Sequence, residues 1–231
     1  MLDRRQLADR LDEVMEEEAA AFLDRVPGAS HLTDDRPLSE AYYIRHRIET
    51  IKRIRLTART DAMALALMVE EDYDAARPWA RYVCEELDHD TLFLADLAEH
   101  GVSEAAVNAT PLFSATRDMI GYLEDRIQNV GSIAAVAYSL FVEWNSIRYS
   151  LPAAKKASEA FSADHVAGSL SHAGIDEEEN HYEVMVDIAH ALLRKQESEE
   201  VLIQLLRNIA ELFRRYFEEL YHLTFERTAA A

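Results

Sequence analysis

Cysteine is almost missing from this chain, and Cys84 alone excludes an intramolecular disulfide framework and any cysteine-based zinc site. That fits a reducing, cytoplasmic setting. Positive charge is also scarce. With 24 Lys and Arg against 43 Asp and Glu the formal charge is −19, and such a surface repels phosphate backbones and anionic headgroups. Neither nucleic acid nor a membrane surface is therefore expected as a partner. No stretch reaches the roughly 18 apolar residues that a membrane span needs, since even Asp61 to Val69 is bracketed by Arg59 and Glu70. Met1 to Gln6 lead directly into charged helical sequence, without the apolar core of a signal peptide. Hydrophobic residues make up 49% of the 231 positions, ample for a buried core.

The 6 glycines and 5 prolines fall where long segments of helical period would need to end. The spacing of apolar residues predicts an all-α chain of about eight helices, with no period-2 segment long enough for a sheet. The first helix covers Leu2 to Val26 and stops at Pro27-Gly28, and a long second helix follows Ser39 as N-cap and runs toward Val69. Pro78 reads as the first residue of a third helix that continues to Gly101. Ser114 to Asn129 and Ile133 to Tyr149 come next, the latter closed by Pro152, and a weaker segment covers Ala153 to Leu170. Beyond a break near Gly174, Asp176 to Arg194 and Glu200 to Phe225 complete the set. Short connections and the lack of internal repeats predict one helical domain over residues 1–231, a bundle with side chains converging from several helices.

The informative residues are polar groups that interrupt apolar stripes. Tyr82, Glu86, His89 and Phe93 follow the i, i+4, i+7, i+11 spacing of one helical face. Glu143 shares a face with Val136, Leu140 and Ile147, where an unpartnered carboxylate is costly and calls for a cation, a hydrogen-bond network or a metal. A second Glu-x-x-His, Glu178 and His181, precedes an inward face of Tyr182, Met185, Val186, Ala189 and Leu193. Two Glu-x-x-His pairs plus an inward Glu are the donor set of a carboxylate-bridged di-metal bundle, because carboxylates bridge hard cations and each imidazole supplies a terminal nitrogen. A plainer account takes Asp176 to Glu179 as acids favoured at a helix N-terminus. His172 either joins the site or sits in a loop. The remaining histidines show no partner spacing and read as ordinary surface or helix residues, and Cys84 reads as structural. Arg45, Arg47, Lys52, Arg53, Arg55 and Arg59 cluster on the second helix, either to pair with Glu16-Glu17-Glu18 or another helix, or to bind a substrate carboxylate.

From about Leu38 to Leu193 the sequence resembles the heme-oxygenase-like superfamily, in the branch that holds TenA, the PQQ-synthesis protein C, the chlamydial protein associated with death domains and the heme-oxygenase-like di-iron oxidases. The resemblance rests on Glu86-Leu87-Asp88-His89 with Phe93 and His100-Gly101-Val102, on Ala137 to Glu143, and on the acidic segment His172 to Glu183. It implies a single heme-oxygenase-like helical domain that binds one or two iron ions and no heme, with Glu86, His89, Glu143, His172, Glu178 and His181 as candidate ligands. It also implies an oxidase or oxygenase acting with dioxygen on a small carboxylate-bearing molecule, and a homodimer as the common assembly. The family's last ligand helix reads His-x-x-x-Asp-x-x-His, and this chain departs from it. One register places His172, Asp176 and Glu179 at those positions, and the other places Gly174, Glu178 and His181 there. TenA's own activity needs a cysteine on the helix of Glu143, where this chain has none. A metal-free oxidase like the PQQ-synthesis protein, or a noncatalytic binding protein, are the alternatives.

Overall fold

The computed structural model describes residues 2–194 and 198–226, with backbone alone for 175–179. The described residues form ten α-helices and no strand. Helix α1 (Arg4–Arg25) opens with a reciprocal cap in which Asp3 accepts the Gln6 N–H and the Gln6 side chain accepts the Asp3 N–H. Helix α2 (Glu40–Glu71) starts at Ser39, whose hydroxyl oxygen accepts the Tyr42 N–H. Helices α3 (Tyr73–Glu86), α4 (His89–Glu99), α5 (Glu104–Ala109) and α6 (Ser114–Asn129) follow, then the long α7 (Ile133–Ala160). Helices α8 (Ala167–Glu179), α9 (His181–Leu193) and α10 (Glu199–Tyr221) close the chain, with a last π-helical turn at His222–Glu226. None of the described helices is long and apolar enough to cross a membrane.

The centre of the molecule is the first half of α7. Every residue from Ser132 to Leu140 is buried, which is what a helix that is apolar all round requires. Around it α1, α2, α3, α6, α9 and α10 contribute one continuous core that includes Leu11, Met68, Trp79, Met119, Met185 and Leu206. Burying such side chains stabilises the fold by about 1.5–3 kcal/mol each.

Three helices depend on carboxylates from elsewhere to cap their N-termini. Phe113, Ser132 and Val166, the residues that precede α6, α7 and the turn of α8, make no side-chain cap of their own. Instead Glu49 of α2 accepts the Phe113 N–H at 2.9 Å, and Glu219 of α10 accepts the N–H groups of Ser114 and Ala115. Glu71 accepts the Ser132 N–H and hydroxyl. Asp96 of α4 accepts the N–H groups of Gly168 and Ser169 at 2.7 and 2.9 Å. Each bond satisfies an orphan donor and places negative charge at the positive end of a helix dipole. Part of the acidic excess is thus built into the frame.

Several boundaries differ from the sequence reading. The segment expected as one helix from Pro78 to Gly101 is two, α3 and α4. Glu85 and Glu86 place negative charge at the unfavourable C-terminal end of α3, while Asp88 and Asp90 favour a new N-terminus. Pro78 lies inside α3, whose start is set by Asp72 accepting the Asp74 and Ala75 N–H groups. Pro152 does not close α7, because the continuation buries Ala154 and Ala157, the latter beside Tyr43 and Val166. Helix α8 passes through Gly174, and the break falls at Asn180, which adopts the left-handed conformation at φ 49° that asparagine tolerates better than most side chains.

Candidate metal centre

Three helices bring Glu86, Glu143 and His181 together. Glu86 ends α3, Glu143 lies midway along α7, and His181 begins α9 just after the Asn180 break. One donor atom from each lies within 4.8 Å of the other two, a group able to hold a metal ion. Glu143 and His181 are buried, and Glu86 is partly accessible where the cluster meets a cavity. The His181 Nδ1 lies 3.9 Å from Glu86 Oε1 and 3.9 Å from Glu143 Oε2, and its Nε2 lies 3.3 Å from Glu85 Oε2. Tyr82, one turn before Glu86 on α3, donates its hydroxyl to Glu143 Oε1 at 2.8 Å and packs edge-on against the His181 ring. Burial, reinforced by Glu143 and Glu86, pushes the Tyr82 phenol well above its ordinary pKa, so it stays a donor.

His89 and His172 form a second layer on the same side. His89 Nδ1 is 3.2 Å from Glu86 Oε2, and the His89 and His172 rings meet edge to face at 4.5 Å. The close approach of α4 and α8 makes this contact: a side chain on Gly168 would meet the Leu92 carbonyl oxygen at 2.0 Å. Gly168 and the Asp96 cap therefore set the position from which α8 presents His172 to His89 and Phe93.

Both Glu-x-x-His pairs straddle helix breaks, which corrects the expectation that each occupies one face of one helix. Glu86 and His89 belong to α3 and α4, and Glu178 and His181 to α8 and α9. The side chain of Glu178, like those of Asp176 and Glu179, lies outside the described residues. The stripe that carries Glu143 is buried at Val136 and Leu140 but ends before Ile147, which is 43% exposed.

Sequence reasoning missed Asp61. It sits on the buried face of α2 with Thr57, Ala64 and Met68, and the rule that singled out Glu143, an acid inside an apolar stripe, would have found it. Its Oδ1 is buried without a hydrogen-bond partner, and burial together with the charge of Glu86 pushes its carboxyl up to about 8. His46, expected to be ordinary, lines the cavity described below, faces Tyr216 with its Nδ1 2.9 Å from the phenol oxygen, and is held well below its usual pKa by desolvation and by Arg47.

Asp61, Glu86 and His172 open onto a cavity of about 280 Å³ that follows α2 back to His46. The basic cluster of α2 divides around it. Arg45 pairs with Glu49, Arg55 with Asp90 and Glu104, and Arg59 with Glu124, while Arg47 and Arg53 line the cavity. The acids of α1 are not their partners, because Glu17 and Glu18 pair with Arg207 and Arg214 of α10. Cys84 is free and exposed.

No protein-family model matches the sequence, and no curated protein matches it. Solved structures do. A domain of unknown function with a heme oxygenase-like fold from Shewanella denitrificans OS217 superposes with a TM-score of 0.83 at 18% identity, covering 100% of this chain and 97% of that one. A TenA homolog from Pseudomonas syringae pv. tomato DC3000 superposes with a TM-score of 0.76 at 15% identity, covering 96% of each chain. The chain has the heme oxygenase-like fold.

Proposed function

We propose that this protein is an iron-dependent, oxygen-activating oxidase or oxygenase that acts on a small carboxylate-bearing molecule. The observation that carries the reading is the convergence of Glu86, Glu143 and His181 beside an apolar cavity. The donor chemistry fits: two carboxylates and an imidazole suit iron, and the unpartnered Asp61 oxygen is the kind of buried polar atom that a cation or its ligand satisfies. Glu86, Glu143 and His181 would hold one ion, with His89 and His172 on the side where a second would be ligated. Bound iron in its reduced state supplies the activation of dioxygen.

The chain's own residues do the rest. Tyr82 orients Glu143 through its hydroxyl, as partners of ligating carboxylates do. The apolar walls of the cavity exclude water from the reacting groups. Asp61, with its carboxyl at about 8, holds a proton on its side-chain oxygens at neutral pH and so faces the cavity as a neutral donor before any cation binds. The metal-free alternative draws support from His46, Arg47 and Arg53, which would hold an anionic ligand without a metal.

Metal analysis of protein expressed with added iron separates the readings. Near-stoichiometric iron in the wild type, lost in both Glu86→Ala and His181→Ala while the far-UV spectrum stays helical, is the expected result. A folded wild type that takes up no iron, or one whose iron survives both substitutions, would overturn the metal reading.

A further inference from the structure

Of the six basic residues on α2, Arg47 and Arg53 stand apart. Arg45, Arg55 and Arg59 each meet a carboxylate, and Lys52 donates to the Asn108 carbonyl. Arg47 and Arg53 meet none among the described residues. Arg53 is partly buried, and among the described residues its hydrogen bond goes to an uncharged group, the phenol of Tyr138. Arg47 lies over ring faces, 4.8 Å from the centre of Phe93 and 5.2 Å from that of Tyr43. The Nε of each is buried without a hydrogen-bond partner. A guanidinium stays charged at every pH of interest, so it cannot relieve its burial by giving up a proton. Two such groups line one cavity in a chain of charge −19, and neither makes an ion pair among the described residues.

From these observations we infer that Arg47 and Arg53 form an anion subsite that binds the carboxylate of an elongated, otherwise apolar substrate. The shape of the cavity supplies the rest of the description. It follows α2 from His46 to Asp61, a span of roughly 22 Å at the helical rise per residue. Beyond the arginines its walls are Phe141, Phe213, Phe217 and Phe22, and it reaches exposed apolar side chains at Leu23 and Tyr149. The subsite adjoins the acidic end on two sides. Arg53 and Glu86 line the same cavity, and Phe93 under Arg47 packs on His172. A carboxylate on the two guanidiniums would seat one end of the molecule near Glu86 and leave the apolar body against the phenylalanines. Alkyl and aryl bodies share this chemistry.

The inference deepens the proposed oxidase reading and rests on it for the consequence of binding, but it is tested without iron. Octanoate and 4-phenylbutanoate, with 1-octanol and 4-phenylbutan-1-ol as matched neutral probes, are titrated by calorimetry into the metal-free, full-length wild type. At least one acid is expected to bind about 30-fold more tightly than its alcohol, the size of effect a buried charge-assisted pair supplies. The tighter acid identifies the body as alkyl or aryl. Arg53→Met should remove most of that preference while leaving the alcohols unchanged, and Arg53→Lys should restore part of it. Equal binding of acid and alcohol by the wild type, or binding of neither, would overturn the subsite whatever the variants do. Loss of the iron reading alone would leave the acid preference intact, so the two failures are distinguishable.

Discussion

Two sets of buried or partly buried carboxylates lie a few turns apart in this molecule and serve opposite ends. At the junctions of α2 with α6 and of α4 with α8, Glu49 and Asp96 are almost inaccessible, yet their oxygens are supplied with donors: the Phe113 N–H and Arg45 for Glu49, and the Gly168 N–H, Ser169 N–H and Ser169 hydroxyl for Asp96. At the junction of α3, α7 and α9, Glu86 and Glu143 face one another and His181, and Asp61 beside them keeps an oxygen with no donor. What the carboxylates face distinguishes the two sets: one that backbone N–H groups have satisfied is part of the frame, and one set against other acids favours a cation or a proton.

The comparison can be broken from either side, and the structural set should give the largest effects. Asp96→Ala leaves two backbone donors buried at the start of α8 and should cost about 4 kcal/mol in urea unfolding. A loss below about 1 kcal/mol would show that the cap is not what holds α8. Glu49→Gln keeps the shape but strips the charge from the pair with Arg45, and about 2 kcal/mol should be lost in the same assay.

Asp61→Asn should act with the opposite sign. The folded carboxyl titrates at about 8 against an ordinary 3.8, so between those values the folded state keeps a proton that the unfolded chain has released. Metal-free wild type therefore loses stability from this group as pH rises from about 4 to 8. The asparagine variant should lack that slope and be more stable by about 2 kcal/mol at pH 7, after a discount for relaxation around the site. Thermal melts of both proteins across that range provide the check, and parallel curves would refute the assignment. Arg59→Ala should give the smallest effect. Its ion pair with Glu124 is largely exposed, and the change should stay within about 0.5 kcal/mol by thermal melting.

The period of apolar residues was enough to read an all-α chain, the bounds of α6 and the inward face of α9, because core burial repeats every 3.6 residues and leaves a record in composition. Glu143 was legible for the same reason, as an acid in a stripe that packing demands be apolar. Asp61 obeyed that rule but was hidden inside the most apolar stretch of α2. Helix ends without glycine or proline were not legible. The α3–α4 break turns on where acids sit relative to two dipoles, and the α8–α9 break turns on one left-handed asparagine. Pro78 and Pro152 misled in the opposite direction, since a proline costs a helix one hydrogen bond and packing on both flanks can outweigh it.

The sequence alone determined that the chain is helical, that its surface is strongly acidic, and that acids and histidines interrupt apolar faces on several helices. Each of these is set by residue type and spacing within one segment. Only the tertiary structure decided which acids met donors and which met one another, and which arginines of α2 met carboxylates and which faced the cavity. Those outcomes depend on how helices far apart in sequence cross, as where Gly168 lets α8 lie against α4 closely enough for Asp96 to cap it and for His172 to reach His89.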